Sequence, residues 1–291
     1  RDNFVAVKNM LPETFERIDR LHKNKGELRG IPTGFDDLDM MLGGLQKSDL
    51  VILAARPSMG KTSFALNIAL NAATDNNKKT VGIFSLEMSK DQLVDRLISS
   101  ISHVDSYRLR SGDLREEDFP AIGQAMATLD EAPIFIDDSV GISVMEMRAK
   151  ARRLKMEYGL DLIIIDYLQL MGGNMENRVQ EISEISRALK GLARELDIPV
   201  VALSQLNRAL EMRPDKKPLL SDLRESGSIE QDADVVMFVY RDEYYNHDTE
   251  RKNIADIIVR KHRNGPTGEI SLYFSAGQMR FMNLEKKHIQ K

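Results

Sequence analysis

Residues 55–62 have the types and spacing of a loop that binds phosphate groups. The run reads ARPSMGKT and fits the pattern G-x-x-x-x-G-K-[ST], except that Ala55 replaces the first glycine. It lies between an apolar run and a helical pattern, so a helix N-terminus would add positive potential. Backbone N–H groups from Ser58 onward would bind phosphate oxygens, Lys61 would reach the outer phosphates and Thr62 would bind Mg²⁺.

Ala55 is the departure from this pattern. If its position required a positive φ, the methyl group would cost about 1–2 kcal/mol. The side chain is nevertheless small, and a strand pattern, the motif and a helix pattern follow one another here. This context favours a genuine phosphate loop over a chance match.

The apolar run 162–165 ends in Asp166, which predicts a carboxylate at the C-terminal end of a buried strand. Ligands of parallel sheets bind at that end of the strands, and Asp166 would there hold Mg²⁺ through water. Many buried strands end in aspartate, so the pattern is weak by itself. Combined with the phosphate loop, it predicts a nucleotide site.

Two further polar residues follow predicted strands. Glu87, in the run SLEM at 85–88, is a candidate general base that would orient an attacking water. Gln205, which follows Ser204, would sense a terminal phosphate through a hydrogen bond. The alternatives are a solvated acid at a strand end for Glu87 and an N-cap pair for Ser204 and Gln205.

The elements that must position these residues alternate between strand and helix from about residue 30. Strands are predicted at 50–54, 80–85, 133–137, 162–165, 199–203 and 234–240. Capping boxes begin helices at Ser89 and Ser143, and apolar residues at 182–196 repeat with helical spacing. The alternation predicts an α/β fold with a mostly parallel sheet and helices on both faces. Residues 254–282 predict a C-terminal antiparallel meander.

Residues 1–29 form a separate linker segment in this interpretation, followed by one domain at 30–291. Phe15, Ile18 and Leu21 are spaced by three, which predicts a short amphipathic helix with Pro12 in its first turn. A single helix of this kind should pack on its own domain or on a neighbouring subunit. The initial arginine indicates a processed chain or a fragment.

Composition excludes several classes of site. The 291 residues include no cysteine, which excludes a disulfide scaffold, a thiolate zinc site and a catalytic thiol, and favours a cytoplasmic location. With 41 basic and 45 acidic residues, the net charge is -4, so a nucleic-acid site would be a local cationic lining. The apolar runs are shorter than the ~20 residues of a membrane span, and no membrane contact is expected.

Eight motifs follow one another along the chain. They are PTGFDDLD at 32–39, GGL at 43–45, the phosphate loop at 55–62, SLEM at 85–88, DYLQL at 166–170, SQLNR at 204–208, DLRESGSI at 222–229 and KHRNG at 261–265. In this order they resemble a bacterial replicative DNA helicase of the DnaB family, over nearly the whole span from 30 to 282. The family's helical N-terminal domain has no counterpart, so the chain resembles the linker helix and the motor domain.

The resemblance implies a RecA-like fold and a homo-oligomer in the form of a hexameric ring. It implies translocation on single-stranded DNA, driven by hydrolysis of ATP with Mg²⁺. A helicase loader and a primase are the further partners that the family would bring.

The resemblance also implies roles for residues. Glu87 would be the catalytic base, Gln205 the γ-phosphate sensor, and Lys61 and Arg263 would act on the transferred phosphate. Residues that would bind the nucleotide or its Mg²⁺ are Ser58, Met59, Gly60, Lys61, Thr62, Ser63, Arg96, Asp166, Lys261 and Arg263, with Thr62 and Asp166 as the metal ligands.

Two of the implied roles involve a second molecule. Lys261 and Arg263 would reach the ATP of the adjacent subunit, whereas Arg224, Glu225 and Gly227 would belong to a loop that contacts DNA. From the residues alone, the segment with Arg224, Glu225 and Gly227 is equally compatible with a helix start. Lys261 and Arg263 are equally compatible with a solvated basic strand end.

Two other functions stay open. A RecA-like recombinase or clock-type ATPase would assemble as a filament or double ring. A nucleotide-gated scaffold would dock a loader or primase and hydrolyse ATP only incidentally. The segments 222–229 and 261–263 favour the helicase.

Overall fold

The computed structural model describes residues 4–23, 28–76, 78–166, 168–171 and 178–284, without the side chains of residues 21, 170, 178, 179 and 224–227. The helices are α1 (Val7–Lys23), α2 (Asp36–Leu42), α3 (Lys61–Thr74), α4 (Lys90–Ser102), α5 (Ser106–Ser111), α6 (Asp118–Glu131), α7 (Val144–Tyr158), α8 (Arg178–Leu196), α9 (Gly227–Asp232) and α10 (Asp242–Tyr245). Short 3₁₀ helices lie at Leu168–Leu170, Arg208–Met212 and Leu220–Ser226. The strands are β1 (Leu50–Ala55), β2 (Val81–Ser85), β3 (Ile134–Asp137), β4 (Leu162–Asp166), β5 (Val200–Gln205), β6 (Val235–Tyr240), β7 (Ile254–His262), β8 (Gly268–Ser275) and β9 (Arg280–Asn283).

These strands form one sheet in the order β3-β2-β4-β5-β1-β6-β7-β8-β9. All pairings from β3 to β6 are parallel, and the pairings of β6–β7, β7–β8 and β8–β9 are antiparallel. The C-terminal ends of β1 to β6 therefore lie along one edge, the carboxyl edge, and their N-terminal ends lie along the amino edge.

Helices cover both faces of the sheet, so alternate residues of a strand enter two different cores. In β1, Val51 and Leu53 pack in the core that contains residues of α2, α3 and α4. Leu50 and Ile52 enter the opposite core, which contains residues of α7, α8 and α9. Burial on both faces explains why the parallel strands are nearly continuous apolar runs.

Aromatic rings from the start of α2 and from β9 pack against α3. The ring of Phe35, at the start of α2, stacks on Phe64 of α3 with centroids 5.1 Å apart. Phe281 of β9 meets Phe64 edge-on at 5.1 Å. The Asp39 carboxylate accepts hydrogen bonds from the Thr33 amide and hydroxyl, each over 2.8 Å. The motif at 32–39 thus braces the helix that follows the phosphate loop.

Strand β7 contains a bulge at Arg260. Lys261 pairs with Val236, but Val259 pairs with Met237, so Arg260 has no opposing residue. A bulge shifts the alternation of sides beyond it. Val259 enters the core with α3, whereas Lys261 lies on the face of the sheet that carries α9.

The predicted α/β architecture is confirmed, with its mostly parallel sheet, helices on both faces and antiparallel C-terminal strands. The capping boxes at Ser89 and Ser143 both form. The placement of Pro12 in the first helical turn was wrong. Helix α1 begins at Val7, because apolar residues before Pro12 extend the helical pattern. The structure adds α2, α5, α6 and α10, for which no pattern was identified.

The apolar side chains of α1 that the structure describes are not buried in this chain. Phe15 and Ile18 are 71% and 56% exposed. Within the described ranges, no helix combines the length and the apolar character that a membrane span requires.

Candidate functional site

The phosphate loop lies between the end of β1 and the start of α3. Ser58 and Gly60 adopt positive φ angles of 66° and 96°, and Gly60 is the N-cap of α3. A Cβ atom at Gly60 would lie 3.0 Å from the Phe281 ring, so glycine suits both the conformation and the space. Ala55 is the last residue of β1 and pairs with Gln205, so its strand conformation carries no cost for a side chain.

Thr62 and Lys61 meet Asp166 at the carboxyl edge. The Thr62 hydroxyl donates to Oδ2 of Asp166 over 2.6 Å. The Lys61 ammonium nitrogen lies 3.7 Å from Oδ1 of the same carboxylate. Asp166 is 2% exposed, so this arrangement is fixed inside the protein.

The oxygen atoms of Thr62 and Asp166 fit a Mg²⁺ ion bound together with phosphates. Oδ1 of Asp166 is buried and accepts no hydrogen bond, which leaves a carboxylate oxygen available to a cation or its water. Mg²⁺ commonly uses one or two protein oxygens and completes its shell with water and phosphate. Among the described residues, no group of three or more His, Asp or Glu could hold a metal.

The cations of this site are partly shielded from water. Burial lowers the pKa of the Lys61 ammonium, and the nearby Asp166 and Glu87 carboxylates oppose that shift. Burial also lowers the pKa of Arg96, which α4 directs into the same cavity. The structure therefore brings the predicted Arg96 to the predicted phosphate site.

Glu87 lies on the turn that follows β2. The turn is held by the Ser85 hydroxyl, which donates to the Met88 carbonyl over 2.6 Å, and by the Leu86 amide, which donates to the Asp166 carbonyl over 2.6 Å. The Glu87 side chain is exposed and lines the cavity that contains Lys61. This position leaves room for a water between the carboxylate and a bound phosphate.

Gln205 ends β5, which lies between β4, the strand that ends in Asp166, and β1, the strand that precedes the phosphate loop. Its backbone is held by the Gln169 side chain, whose oxygen accepts from the Gln205 amide over 3.2 Å and whose nitrogen donates to the Gln205 carbonyl over 3.1 Å. The alternative of a Ser204–Gln205 N-cap was wrong. Asn207 caps the next helix, because its side chain accepts from the Ala209 amide over 2.9 Å.

One cavity of about 470 Å³ lies at this edge, a volume typical of small-molecule sites. Its polar wall includes Lys61, Thr62, Glu87, Arg96 and Gln205. Its apolar wall comes from the meander and is formed by Phe274, Ala276 and Met279. A charged phosphate chain and a flat base could both be accommodated.

Met59 and Ser63, also predicted to bind nucleotide, differ in what they offer. The Met59 side chain is buried in the core, and its amide donates to the Arg56 carbonyl over 3.4 Å. Ser63 lines the cavity, although its hydroxyl contacts the Met279 sulfur at 3.5 Å. Only the backbone of Met59 can therefore serve the loop.

Arg56 is a site residue that the sequence analysis did not select. Its guanidinium donates to the Leu206 carbonyl over 2.8 Å and forms an ion pair with Glu211 at 2.8 Å. These contacts tie the phosphate loop to the segment after β5. No local pattern identifies this pairing, because its partners are distant in the chain, with Leu206 separated by 150 positions.

Arg241 was also missed. Its guanidinium lies 4.7 Å from the Phe274 ring centroid, is paired with Glu243 and donates to the Ser58 carbonyl over 3.3 Å. A signal was present in the sequence, since Arg241 directly follows the predicted strand at 234–240. In parallel sheets, residues that directly follow the C-terminal ends of the strands line the ligand site.

Lys261 and Arg263 do not approach the phosphate loop of their own chain. Lys261 pairs with Val236 at the start of β6, and the Arg263 amide donates to the Asp234 carbonyl over 2.8 Å. Both therefore lie at the amino edge, separated from the phosphate loop by the length of β1, about 17 Å at ~3.3 Å per residue. The Lys261 ammonium donates to the carbonyls of Glu230 and Ala233, over 2.5 and 2.7 Å.

Arg224, Glu225 and Gly227 are predicted to contact DNA. Their backbone belongs to the 3₁₀ helix Leu220–Ser226 and to the start of α9. Their side chains lie outside the described part of the chain, so the DNA contact stays a prediction.

The sequence matches a family described as the DnaB-like helicase C terminal domain over residues 30–283. The chain is similar to replicative DNA helicase DnaB of Geobacillus stearothermophilus, with 55% identity over 98% of this chain and 63% of that protein. Replicative DNA helicase DnaC of Bacillus subtilis (strain 168) is 54% identical over the same shares. The chain thus spans less than two thirds of the length of these relatives.

Solved structures share the fold. One of them, described as an ATPase domain, superposes with a TM-score of 0.91 at 42% identity, covering 97% of this chain and all of that one. A DnaB-like replicative helicase, described together with its interactions with primase, gives a TM-score of 0.88 at 42% identity, covering 98% of this chain and 68% of that one. The RadB recombinase gives 0.55 at 17% identity, covering 88% of this chain and all of that one, which is a likeness of fold alone. The predicted RecA-like fold is confirmed.

Proposed function

The chain belongs to the family of DnaB-like helicase C-terminal domains, and we propose on that basis that it is the ATP-driven motor of a replicative DNA helicase. It hydrolyses ATP to ADP and phosphate and uses the reaction to translocate on single-stranded DNA and separate the duplex. The proposed motor domain is 30–291 and the proposed linker segment is 1–29, a division that the family match over residues 30–283 supports.

One observation carries this proposal. Lys61 and Thr62 both approach the Asp166 carboxylate at the carboxyl edge, at 3.7 and 2.6 Å, and Glu87 and Gln205 line the same cavity. A cation, two metal-binding oxygens, an acid and an amide are the groups that phosphoryl transfer to water requires.

In this mechanism, amides of the phosphate loop and the Lys61 ammonium bind the phosphates of ATP. Thr62 and Asp166 would hold Mg²⁺, which would supply positive charge to the phosphates. The Glu87 carboxylate orients the attacking water and accepts its proton. The side-chain amide of Gln205 donates a hydrogen bond to the γ-phosphate, and Gln169 keeps the Gln205 backbone in place.

Lys61 and Arg263 lie at opposite edges of the sheet, which supports an enzyme that is active only when several copies of the chain assemble. The amino-edge cations Lys261 and Arg263 reach the ATP of an adjacent subunit, so the complete site is formed between two copies of the chain. The exposed apolar stripe of α1, with Phe15 and Ile18, supports a further contact with a neighbour. A closed hexameric ring satisfies both contacts for every subunit.

DNA binding is assigned to the loop that contains Arg224, Glu225 and Gly227. One cation among small residues can bind phosphates with side-chain and backbone donors without recognising bases. Several subunits would together line a cationic channel, although each chain carries a net charge of -4. A helicase loader and a primase are the proposed protein partners. One similar structure is described with its primase interactions, which supports the second.

The test is unwinding of a forked duplex by the wild-type chain and by Lys61→Ala. We expect the variant to keep its melting temperature but to lose hydrolysis and unwinding together. Lys47→Ala, which changes a lysine that is 75% exposed at its side chain, is the matched control and should unwind normally.

Near-normal hydrolysis by Lys61→Ala would contradict the nucleotide site. Strand exchange instead of unwinding by the wild-type protein would identify a recombinase. Hydrolysis that DNA does not stimulate would identify a nucleotide-gated scaffold.

A further inference from the structure

Asp234 is a buried carboxylate at the amino edge, directly before β6. It is 4% exposed. Oδ2 accepts a hydrogen bond from the Leu50 amide over 2.8 Å and an ion pair from Lys190 of α8. Oδ1 faces the Arg263 guanidinium, with 3.3 Å between the charged atoms. One carboxylate thus joins the starts of β1 and β6, helix α8 and the residue after β7.

Rigid elements restrain this carboxylate. Lys190, whose side chain is 14% exposed, also donates to the Ser48 carbonyl over 2.7 Å. The Leu50 amide belongs to the first residue of a fully buried strand. A charge held by donors from a helix and a strand keeps one orientation, because moving it would leave buried groups unpaired.

Arg263 is restrained by the same segment but stays accessible. Its amide donates to the Asp234 carbonyl over 2.8 Å, and one guanidinium nitrogen donates to the Gln231 carbonyl over 3.2 Å. Its side chain is nevertheless 45% exposed. The guanidinium is therefore anchored on one side and open to a second molecule on the other.

We propose that Asp234 is a positioning residue for Arg263, which it holds in the orientation needed to reach the phosphate of a neighbouring subunit. The inference rests on the proposed function, in which Arg263 acts across the subunit interface. An arginine side chain has several rotatable bonds, and fixing them before the reaction lowers the entropy lost in the transition state. Lys190 compensates the carboxylate, so Asp234 orients Arg263 without cancelling its charge.

The primary test is the rate of ATP cleavage in a single turnover, with assembled protein in excess over radiolabelled ATP. We expect Asp234→Asn to slow cleavage by about tenfold to hundredfold, as misplacement of a catalytic group by about 1 Å does. Nucleotide affinity should change far less than the cleavage rate, since the phosphate loop and Lys61 bind the phosphates whereas Arg263 acts on the transferred one. A purely structural defect would weaken binding and cleavage together.

Asp256→Asn is the matched control. Asp256 is also a buried aspartate, with a side chain that is 6% exposed and an ion pair to the half-exposed Arg251 at 2.6 Å. It lies on β7, the strand that leads to Arg263. We expect this variant to cleave ATP at the wild-type rate, and a loss equal to that of Asp234→Asn would overturn the specific role of Asp234.

A double-mutant cycle separates positioning from structure. If Asp234 acts through Arg263, the loss from Asp234→Asn should disappear when Arg263→Ala is already present. An undiminished loss in that background would overturn the proposal. Asp234→Asn leaves Lys190 unpaired and for that reason could fail to fold. In that case the double variant Lys190→Met/Asp234→Asn, which removes both charges, takes the place of Asp234→Asn in the cycle.

The failure of this inference differs from failure of the proposed function. Full hydrolysis by Arg263→Ala would contradict the intersubunit role of Arg263, and the positioning of Arg263 by Asp234 would fall with it. A slow Arg263→Ala variant beside a normal Asp234→Asn variant would overturn the positioning role alone.

Discussion

The Thr62 hydroxyl donates a hydrogen bond of 2.6 Å to the Asp166 carboxylate, which joins the first turn of α3 to the end of β4. The two residues are separated by 104 positions in the chain. Their contact brings together the two oxygen ligands proposed for Mg²⁺, before any nucleotide is bound.

Removal of the Asp166 carboxylate charge should abolish the contribution of Mg²⁺ to nucleotide binding. A ligand that binds only the folded state raises the melting temperature, so the increment from ADP measures its binding. With wild-type protein, we expect a larger increment with Mg²⁺ than with EDTA. With Asp166→Asn, the two increments should be equal. Asp161→Asn, directly before the same strand, should behave as wild type, and a Mg²⁺ effect retained by Asp166→Asn would contradict the assignment.

Glu87→Gln should bind ATP normally but hydrolyse it about 10²–10⁴-fold more slowly, because the amide cannot accept a proton from water. Equilibrium binding of an ATP analogue and the steady-state rate measure the two effects separately. The exposed Glu131→Gln is the control and should change neither. A parallel loss of affinity would indicate that Glu87 supports the structure of the site or the metal.

As pH rises, nucleotide affinity should begin to fall at a lower pH than it would if Lys61 had the pKa of an ordinary lysine. Only the ammonium form attracts phosphates, and burial lowers its pKa in the folded protein. As pH rises through that lowered pKa, the neutral form accumulates and binding weakens. Titration of ADP affinity between pH 7 and about pH 10 measures this, with Lys61→Arg as the control because guanidinium stays charged there. Identical profiles for both proteins would refute the prediction.

Arg224→Ala should weaken binding of single-stranded DNA to a similar degree for all sequences. Loss of one phosphate contact per subunit should also reduce the slope of log affinity against log salt concentration. Fluorescence anisotropy with oligonucleotides of different composition, at several salt concentrations, measures both quantities. Arg153→Ala, on the exposed face of α7, is the control with 79% side-chain exposure. An effect confined to particular bases would argue for base recognition instead.

The sequence by itself determined the parts of this protein whose physics is local. The phosphate loop, the acid at the end of β4 and the capping boxes at Ser89 and Ser143 depend on residues close together in the chain. The parallel sheet was predictable as well, since apolar runs of strand length alternating with helical patterns bury both faces. Because such strands share a direction, the sequence assigns Lys61, Glu87, Asp166 and Gln205 to one edge of the sheet.

The tertiary structure alone decided the contacts between distant segments. Nothing near Gln169 in the sequence indicates that its amide holds the backbone of Gln205, and nothing near Asp234 indicates its contacts with Lys190 and Arg263. The bulge at Arg260 is the clearest case. Regular alternation would place Lys261 on the face with α3, but one unpaired residue turns it toward α9. Strand order and register set these contacts, and both depend on the packing of the whole sheet rather than on any local run of residues.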